Sequence, residues 1–135
     1  MCRWKSPRPL KYYSLNSDDR IRTVSGEVLA TQSEERRTEL LTNLKGVSIP
    51  VASAILMLTD PTNYGVIDVR AWQLLYLYGS VRTMPASNKF SVANWCTYLA
   101  KIRYFARDWD ATARQIEHTL YEYHKTIQEG TLYRR

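Results

Sequence analysis

The sequence contains few cysteines, and this scarcity excludes several kinds of site. Its two cysteines, Cys2 and Cys96, cannot form a disulfide framework, a four-cysteine zinc site or a four-thiolate iron–sulfur cluster. Long apolar runs are also absent, since the longest, Val51 to Leu58, is far shorter than the ~20 residues that span a membrane. Residues 1–15 are basic and carry no apolar stretch of the kind that a secretory signal needs. We therefore expect a cytoplasmic, intracellular protein with no membrane partner.

The length and composition predict one folded domain. The chain has 135 residues, of which 44% are hydrophobic and 24% charged, so it can bury a proper core and is not of the disordered class. A net charge of +6 indicates an anionic partner without identifying one. We expect a basic extended segment at residues 1–16 and a single helical domain at 17–135.

The positive charge is concentrated at the two ends of the chain. Residues 1–22 hold two acidic side chains, Asp18 and Asp19, and six basic ones: Arg3, Lys5, Arg8, Lys11, Arg20 and Arg22. Aromatic residues, Trp4 among them, interleave with these cations, as on surfaces that bind nucleic acids. Pro7 and Pro9 favour an extended backbone here. The alternative is an ordinary solvated surface with a basic tail.

Helix-start signals recur along the chain while strand signals are weak, which predicts an all-α fold of about six helices. A capping box at Thr31 and Glu34 predicts the start of the second helix, and Asp110 is the expected cap of the last. The predicted helices are 17–30, 31–44, 50–58, 69–78, one from 91 or 92 to 109, and 111–128.

Several conspicuous side chains are predicted to be structural. Trp72 and Trp95 fall on apolar helix faces and are expected in the core, as is Cys96. His118 and His124 are six residues apart in the last helix, so they do not share a face at metal-ligand spacing. Both histidines are therefore expected at the surface.

The most informative stretch joins a Gly-containing turn to a downstream aspartate. Residues Leu44 to Ser48 form a short turn between two predicted helices, and the second of these opens near Pro50. Backbone N–H groups of such a hairpin, with the positive end of the next helix, suit a phosphate group, and Lys45 adds a charge. Asp68 opens another helix about 20 residues further on.

This stretch resembles the helix-hairpin-helix DNA glycosylase superfamily. That family's pattern is Leu-x-Gly-Val-Gly, a small-residue helix, then a hydrophobic pair and an Asp that opens another helix. The resemblance places the helix-hairpin-helix at about residues 32–59. The matching residues here are Leu44, Gly46, Val47, Ala52, Ala54, Ile67 and Asp68.

The resemblance implies a function and a set of site residues. Asp68 would be the catalytic carboxylate that stabilises positive charge on the sugar of a flipped-out nucleotide. The expected DNA contacts, in the hairpin and beside it, are Lys45, Gly46, Val47, Ser48, Arg70, Lys5 and Trp4. A potassium ion held by the backbone carbonyls of Thr42, Leu44 and Val47 is implied as well, and no other cofactor.

Two residues of this stretch differ from the family's pattern. Bifunctional members of the family carry a lysine nucleophile where Pro50 stands, so Schiff-base chemistry through this position is not expected. Ser48 replaces the second hairpin glycine.

The leading interpretation is a monofunctional DNA glycosylase acting on duplex DNA in base-excision repair. The alternatives are a non-catalytic DNA-binding or assembly module, in which Asp68 is only a helix cap, and a helical protein-interaction domain.

Overall fold

The chain folds into helices joined by short loops. The computed structural model describes residues 2–5 and 7–130, and within these ranges it contains no strand. The all-α class is therefore confirmed. The helices are α1 (Cys2–Lys5), α2 (Leu10–Tyr13), α3 (Asp18–Ala30), α4 (Glu34–Thr42), α5 (Ile49–Thr59), α6 (Val69–Leu77), a 3-10 helix (Ala86–Asn88), α7 (Val92–Asp108) and α8 (Ala113–Ile127).

The six predicted helices are present as α3 to α8, but two of them start at other residues. The capping-box prediction at Thr31 is wrong, because the side chain of Ser33 caps α4 by accepting from the Arg36 N–H at 3.2 Å. Thr31 instead ends α3 in an extended conformation, and its hydroxyl accepts from the Ser33 N–H at 3.2 Å. Similarly, Asp110 does not cap α8, since Thr112 forms a reciprocal capping box with Gln115.

The N-terminal segment is not extended as predicted. Residues 2–5 and 10–13 are helical, and Pro9 precedes α2 at a position where its missing N–H costs no hydrogen bond. The segment folds back onto the domain, with α1 against α5 and Asn16 bonded to the backbone of Lys45. Residues 1 and 6 of this segment, and 131–135 of the predicted domain, lie outside the described residues.

The core is built around α5, which is apolar on nearly every side. Its small residues Ala52 and Ala54 are completely buried, so neighbouring backbone can approach closely. Further out, α3 packs on α4, while α6 and α7 both pack on α8. Trp72 and Trp95 are buried, which confirms their predicted core position.

Two of the structural predictions need correction. Cys96 is only half-buried, at the edge of the core rather than inside it. His124 is buried, and its Nε2 lies 2.8 Å from the side-chain oxygen of Gln73 on α6. Since α6 packs directly on α8, the face that carries His124 is covered. His118 is exposed, as predicted.

Gly65 marks the closest approach between the loop after α5 and the helix α8. A Cβ atom at this position would lie 2.7 Å from the Cβ of Glu117 and 3.1 Å from the carbonyl oxygen of Ala113. One of these atoms belongs to the backbone and the other is the first side-chain carbon, so neither can move aside easily. Glycine here therefore permits the packing of α8 against the residues that lead to Asp68.

We predict that Gly65→Ala destabilises the protein by about 1–3 kcal/mol, because the added methyl overpacks this contact. Urea unfolding monitored by circular dichroism measures the change. Gly26 in α3 is the matched control, since nothing lies within 4 Å of the place that a Cβ would take there. Gly26→Ala should stabilise by up to ~1 kcal/mol, as expected for a helix interior. Equal stability of the wild type and Gly65→Ala would contradict the proposed packing constraint.

Candidate functional site

Asp68 lies at the start of α6 with both carboxylate oxygens engaged. Oδ1 accepts from the backbone N–H of Arg70 at 2.9 Å, which makes Asp68 the N-cap of the helix. Oδ2 lies 3.4 Å from the Nζ of Lys5 on α1, and each of these two side chains is 20% exposed. The carboxylate is thus held at the positive end of a helix while remaining accessible.

Three helices fix the short loop segment that precedes Asp68. From α5, the Ser53 hydroxyl accepts from the Ile67 N–H at 3.0 Å and donates to the Pro50 carbonyl at 2.7 Å. From α7, the Tyr98 hydroxyl donates to the Val66 carbonyl at 3.0 Å. From α8, Glu117 accepts from the Val66 N–H at 3.3 Å. These bonds set the position of Asp68 relative to α5, the helix that follows the hairpin.

Glu117 is a second carboxylate at this site, and sequence reasoning missed it. Its side chain is only 4% exposed and pairs with Arg114 one turn earlier on α8. Burial raises the pKa of Glu117, while Arg114, the Val66 N–H and Lys5 lower it in part. The spacing of residues did not mark Glu117, because only the structure shows that the face of α8 that it shares with Ala113 and His124 is buried. A charged residue on such a face indicates a paired or functional group.

Asp68 and Glu117 line one cleft of about 370 Å³ between α1, α6 and α8. Lys5 and Arg114 supply two positive charges to this cleft, and the Arg114 guanidinium lies 6.0 Å from the centre of the Trp4 ring. We call this space the Asp68 cleft. Its complete lining is Trp4, Lys5, Val66, Asp68, Arg114, Glu117, His118 and Tyr121.

Two further clefts extend from Asp68 towards the hairpin. The first, of about 400 Å³, shares Lys5 and Asp68 with the Asp68 cleft and is also lined by Arg8. The second, of about 640 Å³, shares Ser48, Pro50 and Phe90 with the first and is also lined by Lys89. Because neighbouring clefts share lining residues, the three lie side by side on the surface, and we call this row of clefts the groove.

The hairpin presents only part of its predicted contact set to the groove. Gly46 adopts a φ of +84°, and a Cβ there would lie 2.8 Å from the Tyr13 ring, so the N-terminal segment covers this side. The Lys45 N–H donates to the Asn16 side chain at 2.8 Å. Val47 and Ser48, by contrast, line the groove. The hydroxyl of Ser48, the N-cap of α5, makes no capping bond.

Of the other residues predicted to contact DNA, some lie at the groove and one does not. Lys5 and Trp4 are close to Asp68, as described above. Arg70 lines none of the three clefts, because its guanidinium bonds to Gln128 and lies 5.7 Å from the Tyr121 ring centre.

The three residues implied as potassium ligands also differ in their surroundings. Thr42 and Val47 line the hairpin end of the groove, whereas the Leu44 carbonyl accepts the Val47 N–H at 3.2 Å. Among the described residues, no group of three or more His, Cys, Asp or Glu side chains is arranged to hold a metal ion.

Comparisons with protein-family models, with curated proteins and with solved structures gave no match. In the described part of the chain, no helix combines the length and apolar character needed to cross a membrane.

We predict that Glu117 makes the stability depend on pH. Because its folded pKa lies above the ordinary 4.5, the folded state holds this proton more tightly than the unfolded state. The free energy of unfolding should therefore fall as pH rises from 4.5 through the raised pKa, and level off above it. Glu117→Gln should remove this fall, as measured by urea unfolding across the pH range. If the free energy of unfolding depends on pH in the same way in Glu117→Gln and the wild type, another group causes that dependence.

Proposed function

We propose that this protein binds duplex DNA along the groove and removes a damaged base, with Asp68 as the catalytic carboxylate. The observation that carries the proposal is the position of Asp68. It is a fixed and partly exposed carboxylate, located where the Asp68 cleft meets the part of the groove that leads to the hairpin.

The charge and aromatic content of the groove support a nucleic acid ligand. Arg8 and Lys89 add positive charge between Asp68 and the hairpin, and Phe90 lies beside them. Cations neutralise backbone phosphates, while aromatic rings stack on exposed bases. At the hairpin end, the start of α5 offers a phosphate the positive end of a helix next to Lys89.

The chemistry of base removal suits this arrangement. Breaking a glycosidic bond builds positive charge on the sugar, and a nearby carboxylate stabilises that charge. Asp68 would face the sugar of a nucleotide rotated out of the duplex into the Asp68 cleft, where Trp4 and Tyr121 offer stacking surfaces. Glu117 would act through its neighbours, because its bonds to Arg114 and Val66 hold the cleft wall in place.

A non-catalytic DNA-binding module is the second candidate. Tyr13 covers Gly46 and Asn16 occupies the Lys45 N–H, so fewer hairpin groups are available to grip a backbone. The cap bond and ion pair of Asp68 are also sufficient reasons for an aspartate at a helix start. This candidate keeps the groove as the DNA surface but assigns Asp68 a structural role.

An apolar groove on the other side of α8 favours the third candidate, a protein-interaction domain. It has a volume of about 550 Å³ and is lined by Leu74 and Leu120 among others. Trp109 and Tyr78 at its edge are 74% and 66% exposed. Exposed apolar surface of this kind marks contact sites between proteins. This surface is separate from the groove that contains Asp68, so the two functions are compatible.

We predict that the wild type releases a base from at least one damaged duplex and that Asp68→Asn slows release by about 100-fold or more, because the charge opposite the sugar is lost. The assay is a panel of duplexes with deaminated, oxidised or alkylated bases, followed by alkaline cleavage of the abasic products. Asp108→Asn, which removes an exposed acid at the end of α7, is the charge-matched control and should retain activity. Base release by neither protein from any duplex would favour the non-catalytic module.

We also predict that DNA binding weakens steeply with salt, since bound phosphates release counterions. Arg8→Gln and Lys89→Gln should each lower the slope of log affinity against log salt by about 0.9 if the side chain contacts one phosphate. Fluorescence anisotropy with a labelled duplex measures the slope. Arg107→Gln, an exposed change on α7 away from the groove, should leave it unchanged. Undetectable binding at low salt would contradict both DNA-binding candidates.

A further inference from the structure

An apolar surface runs along one side of α8. Ile116 and Leu120 line the apolar groove described above, and Tyr123 and Ile127 follow at helical spacing on the same side. From α6, the Tyr78 hydroxyl shares a hydrogen bond with that of Tyr123, which joins the two helices at this surface. We call the apolar groove and the exposed side chains beside it the apolar face; those side chains are Leu77, Tyr78, Trp109, Tyr123 and Ile127.

These five side chains leave a large area in contact with water. Their exposed fractions range from 40% for Ile127 to 74% for Trp109. At ~150–250 Å² for a side chain of this size, their exposed area amounts to roughly 600 Å². The largest apolar patch on a monomer is about 300–600 Å², and a stable interface buries about 800 Å² from each partner. With the walls of the apolar groove added, the apolar face is therefore close to the size that a stable dimer needs.

The apolar face contains both a depression and exposed rings beside it. The depression is the apolar groove of about 550 Å³, and the rings of Trp109 and Tyr78 lie at its edge. When two copies pack about a two-fold axis, each copy offers its rings to the depression of the other. A surface with only a depression, or only projecting rings, would instead need a different protein as its partner.

Charge is distributed so that two copies can meet at this face. Within the described part of the chain, no charged side chain lines the apolar groove. On the other side of α8, Arg114 and Glu117 line the Asp68 cleft. Two copies that pack through their apolar grooves therefore bury no charge there, although each chain has a net charge of +6. The Asp68 cleft of each copy stays open in such a pair.

We propose that the apolar face binds a second copy of this chain, so that the protein is a symmetric dimer in solution. The proposal gives one partner to the surface that favours a protein-interaction domain. It does not rest on base removal or on DNA binding, because the groove that contains Asp68 takes no part in the contact. Each chain of the dimer keeps its own groove, and the dimer has two separate surfaces for DNA.

Sedimentation velocity of the full, nuclease-treated chain over a range of concentrations tests the proposal. We expect one reversible transition from the 15.8 kDa monomer to a species of twice that mass and nothing larger, because a two-fold interface closes on itself. Raising the salt should tighten the dimer, since salt screens the repulsion between two positive chains. A monomer at every concentration, open-ended oligomers, or a dimer that salt dissociates would overturn the proposal.

Matched variants locate the contact. Leu77 and Trp109 are 66% and 74% exposed, so Leu77→Arg and Trp109→Arg should fold, yet each buries a charge in the dimer. Each should raise the dissociation constant of the dimer by at least about 10-fold. Leu29→Arg is the control, since Leu29 is 78% exposed but lies on α3, outside the apolar face. A circular dichroism melt verifies that each variant is folded. A dimer that both face variants leave intact, or that Leu29→Arg weakens equally, would contradict the assignment.

Hydrogen exchange of the wild type locates the contact without any substitution. Amides in residues 74–80, 105–111 and 116–127 should exchange more slowly at concentrations where the dimer predominates. Concentration-dependent protection confined to α3 or to the Asp68 cleft would overturn the proposal.

DNA binding by the same samples separates this inference from the proposed function. A wild type that stays monomeric but binds duplex DNA would overturn the dimer and leave the proposed function standing. A dimer that binds no DNA would support this inference and contradict the proposed function.

Discussion

The site depends on the loop residues Val66 and Ile67, which are held by hydrogen bonds from three helices. Tyr98 on α7, Ser53 on α5 and Glu117 on α8 each bond to this short stretch of backbone. Buried backbone groups need such partners, so side chains with polar groups are required inside an otherwise apolar core. The same bonds that satisfy these backbone groups also fix α5, Asp68 and Glu117 relative to one another.

The N-terminal segment has two opposing effects on this arrangement. It brings Lys5 and Trp4 to the Asp68 cleft, and Lys5 forms an ion pair with the carboxylate there. At the hairpin, however, Tyr13 and Asn16 cover groups that the resemblance assigns to DNA. The open part of the hairpin is therefore its Ser48 end, and the proposed DNA path runs from there along the groove to Asp68.

The sequence was most informative where local rules decide the structure. Ser17 and Asp68 cap the helices that they were expected to start, because capping involves only neighbouring residues. The sequence was least informative where contacts between distant residues decide the structure. The turns of helix at residues 2–5 and 10–13 form in a segment that packs on the domain, and neither the ion pair of Lys5 nor the burial of Glu117 follows from spacing along the chain.

The position of bound DNA on the folded chain tests the proposed function most directly. Backbone amide shifts can be followed by NMR while a short duplex with a tetrahydrofuran abasic analogue is added. DNA bound along the groove should produce the largest changes in Ser48–Val51, Ile67–Arg70 and Lys89–Ser91, and at Lys5. Changes confined to the apolar groove around Leu74 and Trp109, with none beside Asp68, would contradict the proposed function.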